Sequence, residues 1–433
     1  MKVLARSWLS LSLLLCCPGK IFAQQTPNKP GNVKALRFGK LVDGKGKVWT
    51  KAIVIVEGDR IRSVETDAAA IPPGAEVLDL SRYTGIPGLI DVHTHMTIYT
   101  DETPGVPLLK QTVNPVPAVV VSLARKGAQR TLEAGVTTVR DLGADQYMDI
   151  AMRDLINRGE MIGPRMFVCG YGLYTTFTPF KPAASPPVGG VADGVPQVLR
   201  VVRQQIAAGA DVIKMYASTG TDDDVTGFET YTYDEIKAAV DMAHQFGKRI
   251  AIHSYGPDGA RDAVRAGTDS LEHATDMDDG TIKEMARRGT FYVPTIDHNR
   301  YYIENGDKIG YAPGFKERLS AFIPRNLETA RRAFKAGVRF AMGSDAIYTM
   351  YGQNTRELGW FVKAGMTPEQ ALTTATSNAA QLLGKEKELG AVAPGYFADV
   401  VAVEGDPLAD INVVINHVKW VMKGGAVVVD KTK

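Results

Sequence analysis

Cysteine is scarce in this chain: Cys16 and Cys17 lie in an apolar stretch near the N-terminus, and Cys169 stands alone in the middle. A disulfide framework is therefore excluded as the source of stability. Charge of one sign is lacking too, since 50 Lys and Arg against 48 Asp and Glu leave a net charge of +2. That balance shows no basic footprint for nucleic acid. The apolar stretch from Trp8 to Cys17 falls short of the ~20 residues that a membrane-spanning helix needs. No stable membrane span is expected. A glycine-rich dinucleotide turn after the first strand of the main domain is also missing.

What is present begins with a leader. Lys2 and Arg6 precede the apolar stretch, and Ile21-Phe22-Ala23 with Gln24 follow it, which is the layout of a signal peptide. Residues 1–23 are expected to be removed after Ala23, and the mature protein to be periplasmic or secreted. Lipid attachment at Cys16 or Cys17 is the weaker reading, because Leu13-Leu14-Leu15 precede them where a small residue is usual. With the leader removed, Cys169 is the only thiol.

The length of 433 residues, 45% hydrophobic and 23% charged, suits a barrel of ~250 residues with a smaller satellite. The strongest internal signal is a recurring unit in which an amphipathic stretch ends at a glycine and an apolar run follows. The glycines are Gly135, Gly209, Gly247, Gly267, Gly289 and Gly337. Glycine suits a helix C-terminus because that position often needs a left-handed backbone. Adding Gly85 to His95 in front and Arg165 to Gly170 in third place yields eight apolar strands separated by helices. The fold class expected is α/β, a closed (β/α)8 TIM barrel over residues 85–387, with a doubly wound open sheet as the alternative. Residues 30–84 and 388–433 read as short strands, and the two ends are expected to pair into one small β-sandwich.

Three insertions, Thr97 to Pro117, Tyr171 to Pro196 and Asp297 to Pro324, each follow a strand and are expected to be loops walling the catalytic face. They carry Tyr171, Tyr174, Phe177, Phe180, Tyr301, Tyr302 and Tyr311. Packing of loop onto barrel is the ordinary role for any one of these rings.

Polar residues suited to metals fall where barrel enzymes build their sites, at the carboxyl ends of strands. His93 and His95, in Asp91-Val92-His93-Thr94-His95, end the first strand, and alternate residues on a strand share a face. Lys214 lies in the fourth strand, His253 ends the fifth, His273 the sixth and Asp345 the eighth. One histidine at a strand end is usually structural; four at such positions, with an aspartate, point to a metal site for zinc or a similar ion. The remaining histidines, His244, His298 and His417, read as surface or packing residues. Val212-Ile213-Lys214-Met215 would hold an ammonium inside an apolar strand, where an unpaired charge costs several kcal/mol or more. Either a buried carboxylate pairs with Lys214, or CO2 carbamylates its amine, and position alone leaves both open.

Gly88-Leu89-Ile90-Asp91-Val92-His93-Thr94-His95, together with Lys214, His253, His273 and Gly343-Ser344-Asp345, resembles the amidohydrolase superfamily. Ala398-Asp399-Val400-Val401 is similar to the turn where that family's chain re-enters its sandwich. The likeness runs from about residue 34 to the C-terminus. It implies two divalent ions, zinc by donor type: His93 and His95 on the first, His253 and His273 on the second, carbamylated Lys214 bridging and Asp345 completing the first. Val139-Arg140-Asp141-Leu142-Gly143, Ile213-Lys214-Met215-Tyr216-Ala217 and His253-Ser254-Tyr255-Gly256 resemble the Xaa-Pro dipeptidase-like and imidazolonepropionase-related branch, which also holds ochratoxin-hydrolysing enzymes. Imidazolonepropionases use one metal and lack the bridging lysine, so Lys214 argues against that activity.

The resemblance implies hydrolysis of the amide bond before a C-terminal amino acid in dipeptides or N-acyl amino acids, by metal-activated hydroxide. Asp345 is expected to move the proton, and Tyr255 to donate a hydrogen bond to the developing oxyanion. Arg140, Lys181 and Arg300 are the candidates to bind the substrate carboxylate. Aromatic residues in the insertions and in Tyr348 to Tyr351 favour apolar side chains on the substrate. A homo-oligomer is expected by the same resemblance. Cyclic-amide hydrolysis and a non-catalytic binding protein on the same fold are the alternatives.

Overall fold

The computed structural model describes residues 33–98, 105–108, 116–177, 189–219, 226–310 and 314–432. The leader, Phe180, Lys181 and Tyr311 lie outside them. In chain order the strands are β1 (Val33–Val42), β2 (Val48–Glu57), β3 (Arg60–Glu65), β4 (Glu76–Pro87), β5 (Leu89–Thr94) and β6 (Val136–Asp141). There follow β7 (Arg165–Val168), β8 (Val212–Tyr216), β9 (Ser218–Thr219), β10 (Phe228–Glu229), β11 (Arg249–Ser254) and β12 (Ser270–His273). The last are β13 (Phe291–Val293), β14 (Arg339–Phe340), β15 (Val400–Val403), β16 (Val418–Lys423) and β17 (Ala426–Asp430).

Both ends of the chain enter one seven-stranded sheet, in the order β17-β16-β15-β4-β1-β2-β3. The join is antiparallel, with Val400 opposite Pro87 and Val403 opposite Thr84. In β2 successive residues face opposite ways: Ala52, Val54 and Val56 enter a core with Leu36, Phe38, Val400 and Trp420, while Ile53 and Ile55 pack with Ala35. Neither terminal segment has enough apolar surface to cover that core alone.

The eight parallel strands of the main domain hold to the order read from the sequence but do not form one closed ladder. β5-β6-β7 make a three-stranded sheet and β8-β11-β12-β13-β14 a five-stranded one. Across one seam run a bond from Asp211 N to Val168 O at 2.7 Å and an isolated bridge between Leu173 and Met215. Across the other, Val92 N meets Met342 O at 2.8 Å and Asp345 N meets His93 O at 2.7 Å. The closed barrel is therefore met only in part. At the second seam β14 ends at Phe340, and isolated backbone bonds carry the contact on to Asp345, which is left-handed (φ 54°).

The six junction glycines all have positive φ, from 66° at Gly247 to 100° at Gly209, as helix C-termini require. One insertion departs from expectation. The segment from Asp297 to Pro324, expected as a loop, is two helices, Ile296–Ile309 and the start of Phe315–Lys335, with Pro324 inside the second. Tyr171, Tyr174 and Tyr301 are buried and serve packing, whereas Phe177 is exposed with its ring 6.5 Å from that of exposed Phe228. Among the described residues no helix is long and apolar enough to cross a membrane.

Candidate metal centre

His93 and His95 are two residues apart on one extended segment, so their side chains leave the same face. Nδ1 of His93 lies 2.8 Å from Glu272 Oε2, and Nδ1 of His95 lies 3.2 Å from the carbonyl oxygen of Gly143. Both partners accept hydrogen bonds, which assigns the ring protons to Nδ1 and leaves each Nε2 free to bind a cation. The two Nε2 atoms are 3.5 and 3.3 Å from Asp345 Oδ1.

His273, at the end of β12, is held by Thr295, whose Oγ1 lies 2.6 Å from Nδ1. Its ring is 4.9 Å from His93 and 4.4 Å from His253. One donor atom each from His93, His273 and Asp345 fall within 4.8 Å of one another, so the histidines of β5 and β12 meet around Asp345 in one compact donor cluster. Tyr255 stacks on His273 at 4.7 Å and meets His253 edge-on at 4.9 Å.

Lys214 sits two register positions before His253, since Ala251 faces Lys214 and His253 faces Tyr216. Its Nζ is buried and has no hydrogen-bond partner among the described residues. Glu272 and Asp345 act on the amine electrostatically without bonding to it, which leaves a buried donor unsatisfied. The donor set fits a metal centre.

Backbone strain gathers here. His273, Asp276, Thr295, Asp345 and Tyr348 are non-glycine residues with φ between 49° and 70°. Such conformations cost of order 1–3 kcal/mol each and persist where surrounding structure imposes them.

Burial sets the charge states. It lowers His93 to about 4, with the Lys214 cation adding to the effect. His253 and His273 are likewise held well below the usual imidazole range by burial and by neighbouring cations. Burial alone would raise Asp345, but His298, His93 and His95 facing it hold it well below the carboxylate range. Burial lowers the Lys214 amine to about 8 against the pull of Glu272 and Asp345. Neutral imidazoles and an ionised carboxylate are the metal-binding forms.

Two expectations from the sequence change and a third is narrowed. His298, read as a surface or packing residue, is buried, with Nδ1 2.8 Å from the Asp345 carbonyl oxygen and Nε2 3.4 Å from Asp345 Oδ2. Arg140 cannot meet a substrate carboxylate, because its guanidinium is buried and bonded to Glu272, Ser270 and the Val92 carbonyl. Arg300 is ion-paired to Asp297 and Glu304 and lines a separate cavity of about 500 Å³ beside Trp360. Glu272 and Thr295 are site residues that sequence reasoning missed. A charge inside Ser270-Leu271-Glu272 and another inside Val136–Asp141 were the available signal, since opposite charges in buried strands must pair.

Metal-type donors at the carboxyl ends of five parallel strands define a hydrolase scaffold of the α/β class. The chain belongs to the amidohydrolase family, whose profile matches residues 84–428. An ochratoxinase from Aspergillus niger is 31% identical over 91% of this chain and 86% of the relative. A solved structure of a Xaa-Pro dipeptidase with methionine bound in its active site is 31% identical and superposes with a TM-score of 0.83, covering 91% of this chain and 99% of that one. An imidazolonepropionase from Fusobacterium nucleatum is 24% identical over 90% of this chain and 95% of the relative.

Proposed function

We propose that the chain is a binuclear metal-dependent amidohydrolase that cleaves the amide bond before a C-terminal amino acid in dipeptides or N-acyl amino acids. The observation that carries it is the buried, unpartnered amine of Lys214 among three neutral imidazoles and an ionised Asp345. An amine lowered to about 8 has a neutral fraction at physiological pH that can attack CO2. The N–C bond forms, one proton leaves, and the product is a carbamate with two oxygens to share between cations. His93, His95 and Asp345 would hold one ion and His253 and His273 the other, with carbamylated Lys214 between them. Zinc suits this nitrogen and oxygen set.

When bound, two divalent ions supply an acidified water and a polarised carbonyl. Asp345, kept ionised, accepts the proton released as water attacks and returns it to the departing amine. Tyr255, over His273 and beside His253, donates a hydrogen bond to the carbonyl oxygen as it gains charge. The relationship to a dipeptidase and an ochratoxinase, each at 31% identity, supports an amide substrate with an amino-acid leaving group. A cyclic amide is the second reading, favoured by the imidazolonepropionase relative.

Elemental analysis and a substrate panel test this together. Two ions per chain and turnover of dipeptides and N-acyl amino acids as free acids are expected, with weaker action on their C-terminal amides. One ion per chain, or turnover of cyclic amides alone, overturns the reading. Export with cleavage after Ala23 is proposed alongside, and N-terminal sequencing of the mature protein checks it.

A further inference from the structure

Two buried charges take no part in that mechanism. Arg140 and Glu272 are 1% and 0% exposed, in the interior of β6 and β12. Glu272 Oε1 accepts from Arg140 Nη2 at 2.9 Å and from Ser270 Oγ at 2.5 Å, and its Oε2 accepts from Nδ1 of His93 at 2.8 Å. Arg140 is anchored in turn by Ser270 Oγ at 3.0 Å and by the Val92 carbonyl at 2.5 Å. Val92 precedes His93, so Arg140 grips the backbone next to that ligand and, through Glu272, its ring.

The partners behind the imidazoles are not equivalent. His95 has a neutral carbonyl at 3.2 Å and His273 a hydroxyl at 2.6 Å, whereas His93 has a carboxylate at 2.8 Å that is itself ion-paired to Arg140 at 2.9 Å. A charged acceptor makes a shorter, stronger hydrogen bond and raises the basicity of the far ring nitrogen. A buried ion pair seldom adds net stability over apolar residues of the same volume. Stability therefore does not account for placing this pair behind His93.

We propose that Glu272, held in place by Arg140, is a positioning residue that locks His93 in the Nδ1–H form and makes it the anchoring ligand of the first ion. The inference rests on the metal-centre reading above, through the ion at His93 alone.

The near-isosteric Glu272→Gln variant tests it, with metal affinity measured by chelator competition and thermal midpoints measured on metal-free protein. Metal affinity is expected to fall by about 10- to 100-fold, with a smaller change in kcat once metal is saturating. A lowered thermal midpoint with unchanged metal affinity would mean a structural role only and overturns the proposal. Nitrogen-15 spectra of metal-free wild-type protein supply a check that needs no variant: His93 is expected to carry its proton on Nδ1, and an Nε2–H form overturns the proposal. If wild type binds one ion and the variant binds it more weakly, this inference stands and the binuclear reading falls. If both proteins bind two ions equally tightly, the binuclear reading stands and this inference falls.

Discussion

His298 meets Asp345 at two points, with Nδ1 2.8 Å from its carbonyl oxygen and Nε2 3.4 Å from Oδ2. A carbonyl only accepts, so Nδ1 carries the proton and ties the ring to the Asp345 backbone, while the ring edge at Nε2 packs beside the carboxylate and limits its rotation. The helix Ile296–Ile309 delivers the ring from its first turn, and Glu357 fixes that turn by accepting Ile296 N at 3.0 Å and Asp297 N at 2.8 Å. Tyr302 closes the other side edge-on at 4.3 Å. Removing the ring should let Asp345 rotate away from its working orientation. His298→Ala is expected to lower kcat about tenfold, a barrier change of ~1.4 kcal/mol, with KM little altered. His298→Asn retains a short donor and should recover part of the loss in steady-state assays.

Asp345 itself bears the proton transfer in the proposed reaction. Asp345→Asn should lower kcat by about 10²- to 10⁴-fold, the usual worth of a positioned general base, and change KM far less. Metal loading must be matched between the two proteins, because Asp345 also belongs to the donor cluster with His93 and His273. Near-normal turnover at equal loading would assign the proton to another group.

Lys214→Ala removes the orphaned amine and with it the proposed bridge. Metal analysis should show loss of one ion per chain, with activity falling to near background. Acetate or propionate should restore part of the activity, since either places a carboxylate where the carbamate oxygens would be. Wild-type activity without additive would refute a bridging role.

The strand ends are legible in the sequence because periodicity and chemistry agree there. His93 and His95 share a face by their spacing of two, and a lysine inside an apolar strand announces itself by its cost. Partners distant in the chain are not legible: Glu272 is 179 positions from His93, and nothing local shows that β5 and β12 bring them together. The place of His298 is hidden because its segment has the length and composition of a loop. Pro324 has the look of a boundary, yet it lies inside the helix Phe315–Lys335. The two seams between sheets are hidden for a related reason, since a closed ring of strands and two sheets joined by a few isolated bonds share one hydrophobic pattern.

Glu357 links stability to pH. Burial raises its carboxyl to about 8 from an ordinary 4.5, against the two backbone amides it accepts. The folded protein thus keeps a proton that the unfolded chain releases. The contribution is fully present below pH 4.5 and is lost as pH rises toward 8, at up to ~1.4 kcal/mol per pH unit. Asp91, raised by burial to about 6, acts in the same direction, so the comparison must be with a variant. Glu357→Gln should flatten the decline, and the gap between the two thermal midpoints should narrow or reverse from about pH 5 to 8. Parallel curves for the two proteins would show that Glu357 is ionised throughout.

Gly343 lies between Val293 of β13 and His93 of β5. A Cβ added there would sit 2.4 Å from Val293 Cγ1 and 2.7 Å from His93 Cβ, both closer than real Cβ atoms approach. Neither neighbour can yield easily, because Val293 is fully buried and His93 is held by Glu272 and by the backbone bond from Asp345 N to its carbonyl. Gly343→Ala should therefore push the His93 ring off its line to Asp345 Oδ1 and weaken the first ion. Overpacking of this kind typically destabilises a core by about 1–3 kcal/mol, which lowers the thermal midpoint of metal-free protein as well. Metal titration separates the two effects: if the variant is less stable yet binds metal as tightly as wild type, the strain has been taken up at Val293 and His93 has not moved.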